Sequence, residues 1–275
     1  MTQAAPAARK PPRILSIAGS DSSGGAGIQA DIKTIIMLGG YAMTAITAIT
    51  AQNTTGVSAV EVLAPEFLAA QIEACVTDIG VDAVKIGMIG SAAGAQTIAQ
   101  ALAESDAPVI FDPVMVATSG SLLADAETIA GFASLMDRCR IVTPNLPELE
   151  ALAQSRCDTD QAIADAAEML IDRHGCAVLV KGGHAEGDIV TDRLFDPAGR
   201  YASFADPRIE TRHTHGTGCT LSAGLATMLG YRLPLEHSVR LARQFTRDAI
   251  VKAPRYGAGA GPLGHGAVRA ISESD

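Results

Sequence analysis

The order of hydrophobic segments along the chain is the feature that most constrains its fold. Short β-rich runs alternate with longer amphipathic stretches, and this alternation is typical of a parallel sheet covered by helices on both faces. The pattern predicts strands at residues 13–18, 41–51, 57–63, 83–86, 109–111, 140–143 and 177–180. It predicts helices at residues 27–38, from 65 onward, 92–103, 146–153, 161–174, 219–229 and 235–253.

No linker, shift in composition or internal repeat divides this series. We therefore predict one α/β domain over residues 13–270, a three-layer α/β/α fold with a mostly parallel central sheet. Residues 189–195 and 201–204, joined across Asp196-Pro197-Ala198-Gly199, predict an antiparallel hairpin at the edge of the sheet. We expect residues 1–12, which are rich in Pro and Ala, to form a disordered tail.

Charge and cysteine content argue against several classes of partner. Lys and Arg number 21 against 30 Asp and Glu, a formal net charge of −9 without any basic run, so nucleic acid is not an expected partner. Residues 34–60 carry no charge, but Gly39 and Gly40 interrupt them, and a helix followed by a buried strand fits them better than a membrane span. The five cysteines are widely spread without a CxxC pair, which argues against disulfides and zinc and favours a reducing cytoplasm.

The first glycine-rich motif, residues 18–31, follows the first predicted strand. Residues 25–30 match the spacing of a dinucleotide fingerprint, but no acidic residue that could hold the ribose occurs between Asp31 and Glu61. A phosphate-binding P-loop would need a lysine where Gly25 stands. Two interpretations of this motif remain, a flexible turn and a loop whose backbone approaches a ligand closely. The density of glycine beside Ser and Asp favours the ligand-binding loop.

A second glycine-rich motif, residues 215–220, opens a predicted helix. Amides at a helix start, with glycines that let the backbone approach closely, form a site for an anion such as a transferring phosphoryl group. Because Cys219 lies at this helix start, we predict a lowered thiol pKa and thiolate character for it. The remaining cysteines are predicted to be packed core residues: Cys75, Cys139, Cys157 and Cys176.

Polar residues also follow three of the later predicted strands. Asp112 and Glu148 supply enough carboxylates for a Mg²⁺ ion bound to nucleotide phosphates, because such an ion keeps several waters. Asn145 and Glu148 are also spaced as a helix N-cap and its capping-box acid, and the two roles are compatible. Lys181 offers a cation for phosphates, with a tight turn as the alternative interpretation.

Six motifs together carry a resemblance to a known family. They are residues 18–31, 50–54, 85–88, 112–115, 143–148 and 214–220, in the family's order. From about residue 13 to residue 265 the chain resembles the hydroxymethylpyrimidine/phosphomethylpyrimidine kinases of thiamine biosynthesis, within the ribokinase superfamily. The resemblance implies a ribokinase-like kinase, usually a homodimer, that uses ATP and Mg²⁺ to phosphorylate 4-amino-5-hydroxymethyl-2-methylpyrimidine and then its monophosphate.

The resemblance also implies roles for individual residues. Those lining the pyrimidine pocket would be Gly19, Asp31, Gln52, Met88 and Val114. Those binding the nucleotide and its metal would be Asn145, Lys181 and Thr214 for ATP and Asp112 and Glu148 for Mg²⁺. Cys219 would take the proton of the substrate hydroxyl, and the developing charge would be held by the amides of Gly216, Thr217 and Gly218. The amide of Gln52 suits an aminopyrimidine edge, since it offers one acceptor and two donors.

One departure from the family pattern and three rival functions stand beside this interpretation. Thr118 offers a hydroxyl where the family usually has a lysine, which predicts poorer phosphorylation of the monophosphate, the more anionic substrate. The rivals are a pyridoxal or pyridoxine kinase, a dinucleotide-dependent oxidoreductase, and a vitamin-binding regulator that has lost catalysis.

Overall fold

The computed structural model describes residues 10–117, 120, 122–183 and 187–268. In these residues nine strands form one sheet in the order β3-β2-β1-β4-β5-β6-β7-β8-β9. The strands are β1 Arg13–Asp21, β2 Tyr41–Asn53, β3 Gly56–Val62, β4 Ala83–Ile86, β5 Val109–Phe111, β6 Ile141–Val142, β7 Ala177–Val180, β8 Ile189–Phe195 and β9 Tyr201–Pro207. The six strands from β2 to β7 in this order are parallel, and β8 and β9 form an antiparallel hairpin, as predicted.

The strand at the opposite edge of the sheet, predicted at residues 57–63, is also antiparallel, and the sequence analysis does not predict this orientation. Strand β3 pairs with β2 in a register that runs from Ala48 opposite Val62 to Asn53 opposite Gly56. Only residues 54–55 join the two strands. A connection of two residues makes a hairpin, whereas a parallel pair needs a crossover of a dozen residues or more.

Helices cover both faces of the sheet. In the described residues they are α1 Gly27–Met37, α2 Pro65–Ala74, α3 Ala92–Ala101, α4 Ala126–Met136, α5 Leu146–Ala153, α6 Asp160–His174, α7 Thr217–Gly230 and α8 Leu235–Val251. Helices α1, α7 and α8 pack on one face, where Ile35, Leu225 and Val239 share a hydrophobic cluster. Helices α2 to α6 pack on the other face, around a cluster that contains Ile98 and Leu170. The predicted three layers are therefore confirmed.

Helix α4 is absent from the sequence-based prediction. It begins after Asp125, whose carboxylate accepts a hydrogen bond from the backbone N–H of Thr128. Its buried Phe132 lies edge-on to the ring of Phe111 on β5, with the ring centroids 5.0 Å apart. Its buried residues Thr128, Phe132, Leu135 and Met136 recur at helical spacing, so the sequence does carry a signal for this helix that the prediction lacks.

The ends of the predicted domain fall partly outside the described residues. Residues 1–9 of the predicted tail and residues 269–270 of the predicted domain are not described. Pro12 is buried and its carbonyl accepts a hydrogen bond from the N–H of Tyr41, so Pro12 belongs to the fold rather than to the tail. Among the described helices, none combines the length and the hydropathy that crossing a membrane would require.

Candidate active site

A cavity of about 870 Å³ opens at the carboxyl ends of the parallel strands. Its walls come from the ends of β1 and β2, from the segments that follow β4 to β7, and from the start of α7. This edge is where ligands bind in open α/β sheets. The predicted site residues in the wall are Gly19, Gln52, Met88, Asp112, Val114, Asn145, Glu148, Lys181, Thr214, Gly216, Thr217, Gly218 and Cys219.

Asp31 is the predicted pocket residue that does not line this cavity. The prediction that Asp31 contacts the pyrimidine is therefore corrected. Its side chain is fully buried behind the wall. Asp31 Oδ2 accepts hydrogen bonds from Lys85 Nζ at 2.8 Å and from Ser16 Oγ at 2.5 Å. Lys85 is the member of this group that reaches the cavity wall.

The two glycine-rich motifs lie directly against each other. Gly216, which precedes α7, has φ of +88°, and a Cβ at this position would lie 1.9 Å from the carbonyl oxygen of Gly25. Glycine is therefore required at residue 216 both for the backbone conformation and for the close approach. The N–H groups in the first turn of α7 have no carbonyl one turn earlier in the helix, and residues 216–219 lie in the cavity wall. This arrangement is the anion site that the motif predicts.

A buried hydrogen bond ties the two motifs together. His215 Nε2 donates a hydrogen bond to Asp21 Oδ2 at 2.8 Å. The same carboxylate oxygen accepts the N–H groups of Gly25 and Ala26 at 3.0 and 2.8 Å. Strand β2 is joined to the first motif separately, because Ser22 Oγ donates to the carbonyl oxygen of Gln52 at 2.9 Å and accepts the N–H of Gln52 at 2.8 Å. Asp21 and His215 thus hold the two glycine motifs together.

Sequence reasoning assigns no role to Asp21 or His215, although both stand inside the quoted motifs. Burial opposes ionisation of Asp21, but hydrogen bonds from His215, from Ser23 and from the N–H of Ala26 hold its pKa below the usual value. Asp21 and His215 are 194 residues apart. The signal in the sequence is that each lies within a glycine-rich motif.

Two carboxylates face each other across Lys181. Lys181 Nζ is 2.6 Å from Asp112 Oδ1 and 3.6 Å from Glu148 Oε2. Burial raises the pKa of Glu148, and the charge of Lys181 opposes that rise. Burial alone would lower the pKa of Lys181, but Asp112 and Glu148 raise it above its usual value, so Lys181 is a cation here. The predicted capping box of Asn145 and Glu148 is present as well.

The predicted low pKa of Cys219 is wrong. Burial raises the pKa of its thiol to about 11, although the nearby charge of Lys85 acts in the opposite direction. The start of a helix lowers a thiol pKa only when desolvation does not outweigh it. The other cysteines are free and belong to the core or pack against it, as predicted: Cys75, Cys139, Cys157 and Cys176.

The donors of the site limit what it can hold. Within the described ranges no three His, Cys, Asp or Glu side chains gather as a metal site. The two carboxylates around Lys181, Asp112 and Glu148, are the candidate ligands. Two carboxylates fit a Mg²⁺ ion that keeps most of its waters. Thr118, where the family usually has a lysine, lies outside the described residues.

Comparison with known proteins identifies the family. A family model described as phosphomethylpyrimidine kinase matches residues 21–264. The chain belongs to the phosphomethylpyrimidine kinase family. A hydroxymethylpyrimidine/phosphomethylpyrimidine kinase of Rhizobium meliloti is 45% identical over 262 residues, which cover 91% of this chain and 96% of that protein. A thiamine biosynthesis multifunctional protein, ThiED, of Corynebacterium efficiens is 42% identical, and the chain spans 35% of its length.

Solved structures confirm that the fold is that of kinases related to this family. An ADP complex of Bacillus subtilis pyridoxal kinase matches with a TM-score of 0.86 and 30% identity, covering 94% of this chain and 98% of that one. A phosphomethylpyrimidine kinase from Clostridium difficile matches with a TM-score of 0.77 and 36% identity, covering 87% of this chain and 99% of that one. Membership of the phosphomethylpyrimidine kinase family argues against the dinucleotide-dependent oxidoreductase.

Proposed function

We propose that the protein is an ATP-dependent kinase that phosphorylates 4-amino-5-hydroxymethyl-2-methylpyrimidine and then its monophosphate, in thiamine biosynthesis. The observation that carries the proposal is one cavity in which the start of α7, with Cys219, shares a wall with the Asp112, Lys181 and Glu148 cluster and with Gln52. Phosphoryl transfer relies mainly on positioning and electrostatic stabilisation, and these groups supply both. Relatives in the same family carry the corresponding name.

The pyrimidine would bind at the end of the cavity near β2 and β4. Gln52 offers donors and an acceptor to the ring nitrogen and exocyclic amine of an aminopyrimidine. Met88 and Val114 supply apolar surface for the ring and its methyl group. Gly19 leaves room beside Met88, because a Cβ at residue 19 would lie 3.0 Å from the Met88 sulfur.

ATP would place its phosphates between the start of α7 and the carboxylate cluster. The solved pyridoxal kinases of Staphylococcus aureus in complex with ADP and with AMP-PCP support a nucleotide in this cavity. We expect Asn145, Lys181 and Thr214 to contact it. Asp112 and Glu148 would hold Mg²⁺, which when bound neutralises part of the phosphate charge.

The reaction requires the substrate hydroxyl to lose its proton in the course of the attack. The hydroxymethyl oxygen attacks the γ-phosphorus of ATP, a new oxygen–phosphorus bond forms, and the bond to the bridging oxygen of ADP breaks. Cys219, as the thiolate, takes the hydroxyl proton. The amides of Gly216, Thr217 and Gly218 hold the negative charge of the transferring phosphoryl oxygens. For the second phosphorylation the attacking group is a phosphate oxygen of the monophosphate.

A pyridoxal kinase is the second candidate, because solved pyridoxal kinases match this fold with TM-scores of 0.85 to 0.87. An assay of ADP release, run with hydroxymethylpyrimidine, its monophosphate and pyridoxal, separates the two. We expect turnover of both pyrimidines. Turnover of pyridoxal alone would favour the second candidate, and turnover of none would favour a regulator without catalysis. A marked loss of efficiency on the monophosphate would bear out the consequence expected of Thr118.

We also propose a homodimer in the reducing cytoplasm. Strand β3 lies at the edge of the sheet, and its Val60 and Val62 are 43% and 41% exposed, with Phe67 on α2 58% exposed. An exposed apolar edge strand invites pairing with a second chain. All five cysteines are free, which suits a reducing compartment. Sedimentation of the wild type and of Val62→Lys tests the interface: a monomeric wild type contradicts the homodimer.

A further inference from the structure

A buried ion pair joins the cavity wall, at Lys85, to Asp31 behind it, and the proposed mechanism gives the pair no role. Lys85 Nζ is 2.8 Å from Asp31 Oδ2, and neither side chain is exposed to solvent. Ser16 Oγ donates to the same oxygen, while Asp31 Oδ1 accepts no hydrogen bond from the described residues. Such a pair contributes little net stability, because the desolvation of two charges offsets their attraction. A buried lysine in the wall of a reaction site therefore calls for a functional explanation.

The fold brings this pair close to Cys219. Lys85 is on β4 and lines the cavity, Asp31 is on α1, and Cys219 is in the first turn of α7. Helix α7 packs against both β4 and α1. The charge of Lys85 favours the anionic form of the Cys219 thiol and is the strongest influence that opposes the effect of burial on its pKa.

The other charged groups around Cys219 contribute less or in the opposite direction. Asp31 and Asp112 both disfavour a negative charge on the Cys219 sulfur. Lys181 also interacts favourably with that charge, but more weakly than Lys85 does. Lys85 is thus the main cation available to the thiolate.

We propose that Lys85 is a positioning residue for phosphoryl transfer: its buried ammonium group, oriented by Asp31, stabilises the negative charge that Cys219 must carry to accept the substrate proton. The thiolate takes the hydroxyl proton and becomes a neutral thiol, and Lys85 keeps its own proton throughout. After product release Cys219 returns its proton to solvent. This inference rests on the proposed function in one respect, the role of the Cys219 thiolate as the base. The effect of Lys85 on the thiol does not depend on it.

The first test measures the reactivity of Cys219 without any substrate. Peptide-resolved mass spectrometry follows alkylation of Cys219 by iodoacetamide at one fixed pH below the thiol pKa in the wild type, Lys85→Met and Ser16→Ala. We expect Lys85→Met to slow alkylation at least about tenfold, because one pKa unit changes the thiolate fraction tenfold and a nearby opposite charge shifts a pKa by roughly 1–3 units. Ser16→Ala removes a hydrogen bond from the same buried network without changing its charge, so its rate should equal that of the wild type. Equal rates in the wild type and Lys85→Met would overturn the inference.

The second test asks whether Lys85 acts through Cys219. Lys85→Met should lower kcat at least about tenfold in the wild-type background, with the KM for ATP unchanged, and should have no further effect in Cys219→Ala. An equal loss of kcat in both backgrounds overturns the inference. Absence of pyrimidine kinase activity would refute the proposed function, while the alkylation test would still report on Lys85.

If Lys85→Met does not fold, a double variant that replaces both members of the ion pair with uncharged side chains of similar size serves in its place. Removal of one partner leaves a buried unpaired charge, whereas Lys85→Met with Asp31→Asn removes both charges. Lys85 influences the Cys219 thiol more strongly than Asp31 does, so alkylation in this double variant should still be slower than in the wild type. A rate equal to or above that of the wild type overturns the inference.

Discussion

The pH dependence of turnover is a direct check on Cys219 as the catalytic base. Burial raises the pKa of the Cys219 thiol to about 11. A thiol with that pKa is ionised in a fraction on the order of 10⁻³ to 10⁻⁴ of molecules near pH 7.5. Because the base is the thiolate, its fraction and the rate that depends on it should rise about tenfold with each pH unit below the pKa.

Cys219→Ala removes this base while leaving the amides at the start of α7 in place. General-base catalysis contributes roughly 10²–10⁴-fold, so we expect kcat to fall within that range. The remaining rate should lose the steep rise with pH, since no thiolate forms. The assay is release of ADP at saturating hydroxymethylpyrimidine and Mg-ATP, from about pH 6 to about pH 9 for both proteins.

Two results would refute this reasoning. A wild-type rate that stays constant over the pH range means that no group with a raised pKa acts as the base. Wild-type turnover in Cys219→Ala removes the thiol from the mechanism. Binding of AMP-PCP, measured by calorimetry, serves as the control and should be unchanged in the variant, because Cys219 acts on the substrate hydroxyl and not on the nucleotide.

Three further predictions follow from the geometry of the site. Gly216→Ala introduces a Cβ 1.9 Å from the Gly25 carbonyl oxygen at a positive φ, and it should lower stability by about 1–3 kcal/mol or more in thermal unfolding. Gly56→Ala, with open space around residue 56, should stay within about 0.5 kcal/mol, and an equal effect of the two variants would contradict the close approach. Gln52→Leu should raise the KM for the pyrimidine at least about tenfold and leave the KM for ATP unchanged, and a change in the ATP value instead would move Gln52 out of the pyrimidine pocket. Asp112→Asn should raise the Mg²⁺ concentration for half-maximal rate by about tenfold or more, and an unaltered Mg²⁺ dependence would exclude Asp112 as a ligand.

Much of the cavity wall could be predicted because of a topological rule. Parallel strands present their carboxyl ends at one edge of the sheet, so residues that directly follow separate strands, such as Asp112 and Lys181, meet there whatever their distance in sequence. The capping box of Asn145 and Glu148 could be predicted for a different reason, because it is a local pattern of four residues. The antiparallel orientation of β3 is missing from the prediction because the predicted strands end at residue 51 and begin at residue 57, and the two-residue turn exists only when they extend to Asn53 and Gly56.

Features that depend on contacts between distant segments could not be predicted from the sequence. The hydrogen bond between Asp21 and His215 joins two motifs that have separate local explanations. Helix α4 is different, because its buried residues recur at helical spacing and a local signal was therefore present; the structure adds the edge-on contact of Phe132 with Phe111 on the sheet.

The amino-acid sequence by itself determined most of the order of strands and helices and which loops surround the cavity, because hydrophobic periodicity and chain direction are local properties, and its motifs determined the family. Only the tertiary structure decided the electrostatic state of the groups in and behind the wall. Asp31 lies behind Lys85 instead of facing a ligand, and Cys219 has a raised thiol pKa instead of a lowered one. Both outcomes depend on how much water the packed layers remove from a charged group and which opposite charge they bring near it, and neither quantity exists until distant segments pack together.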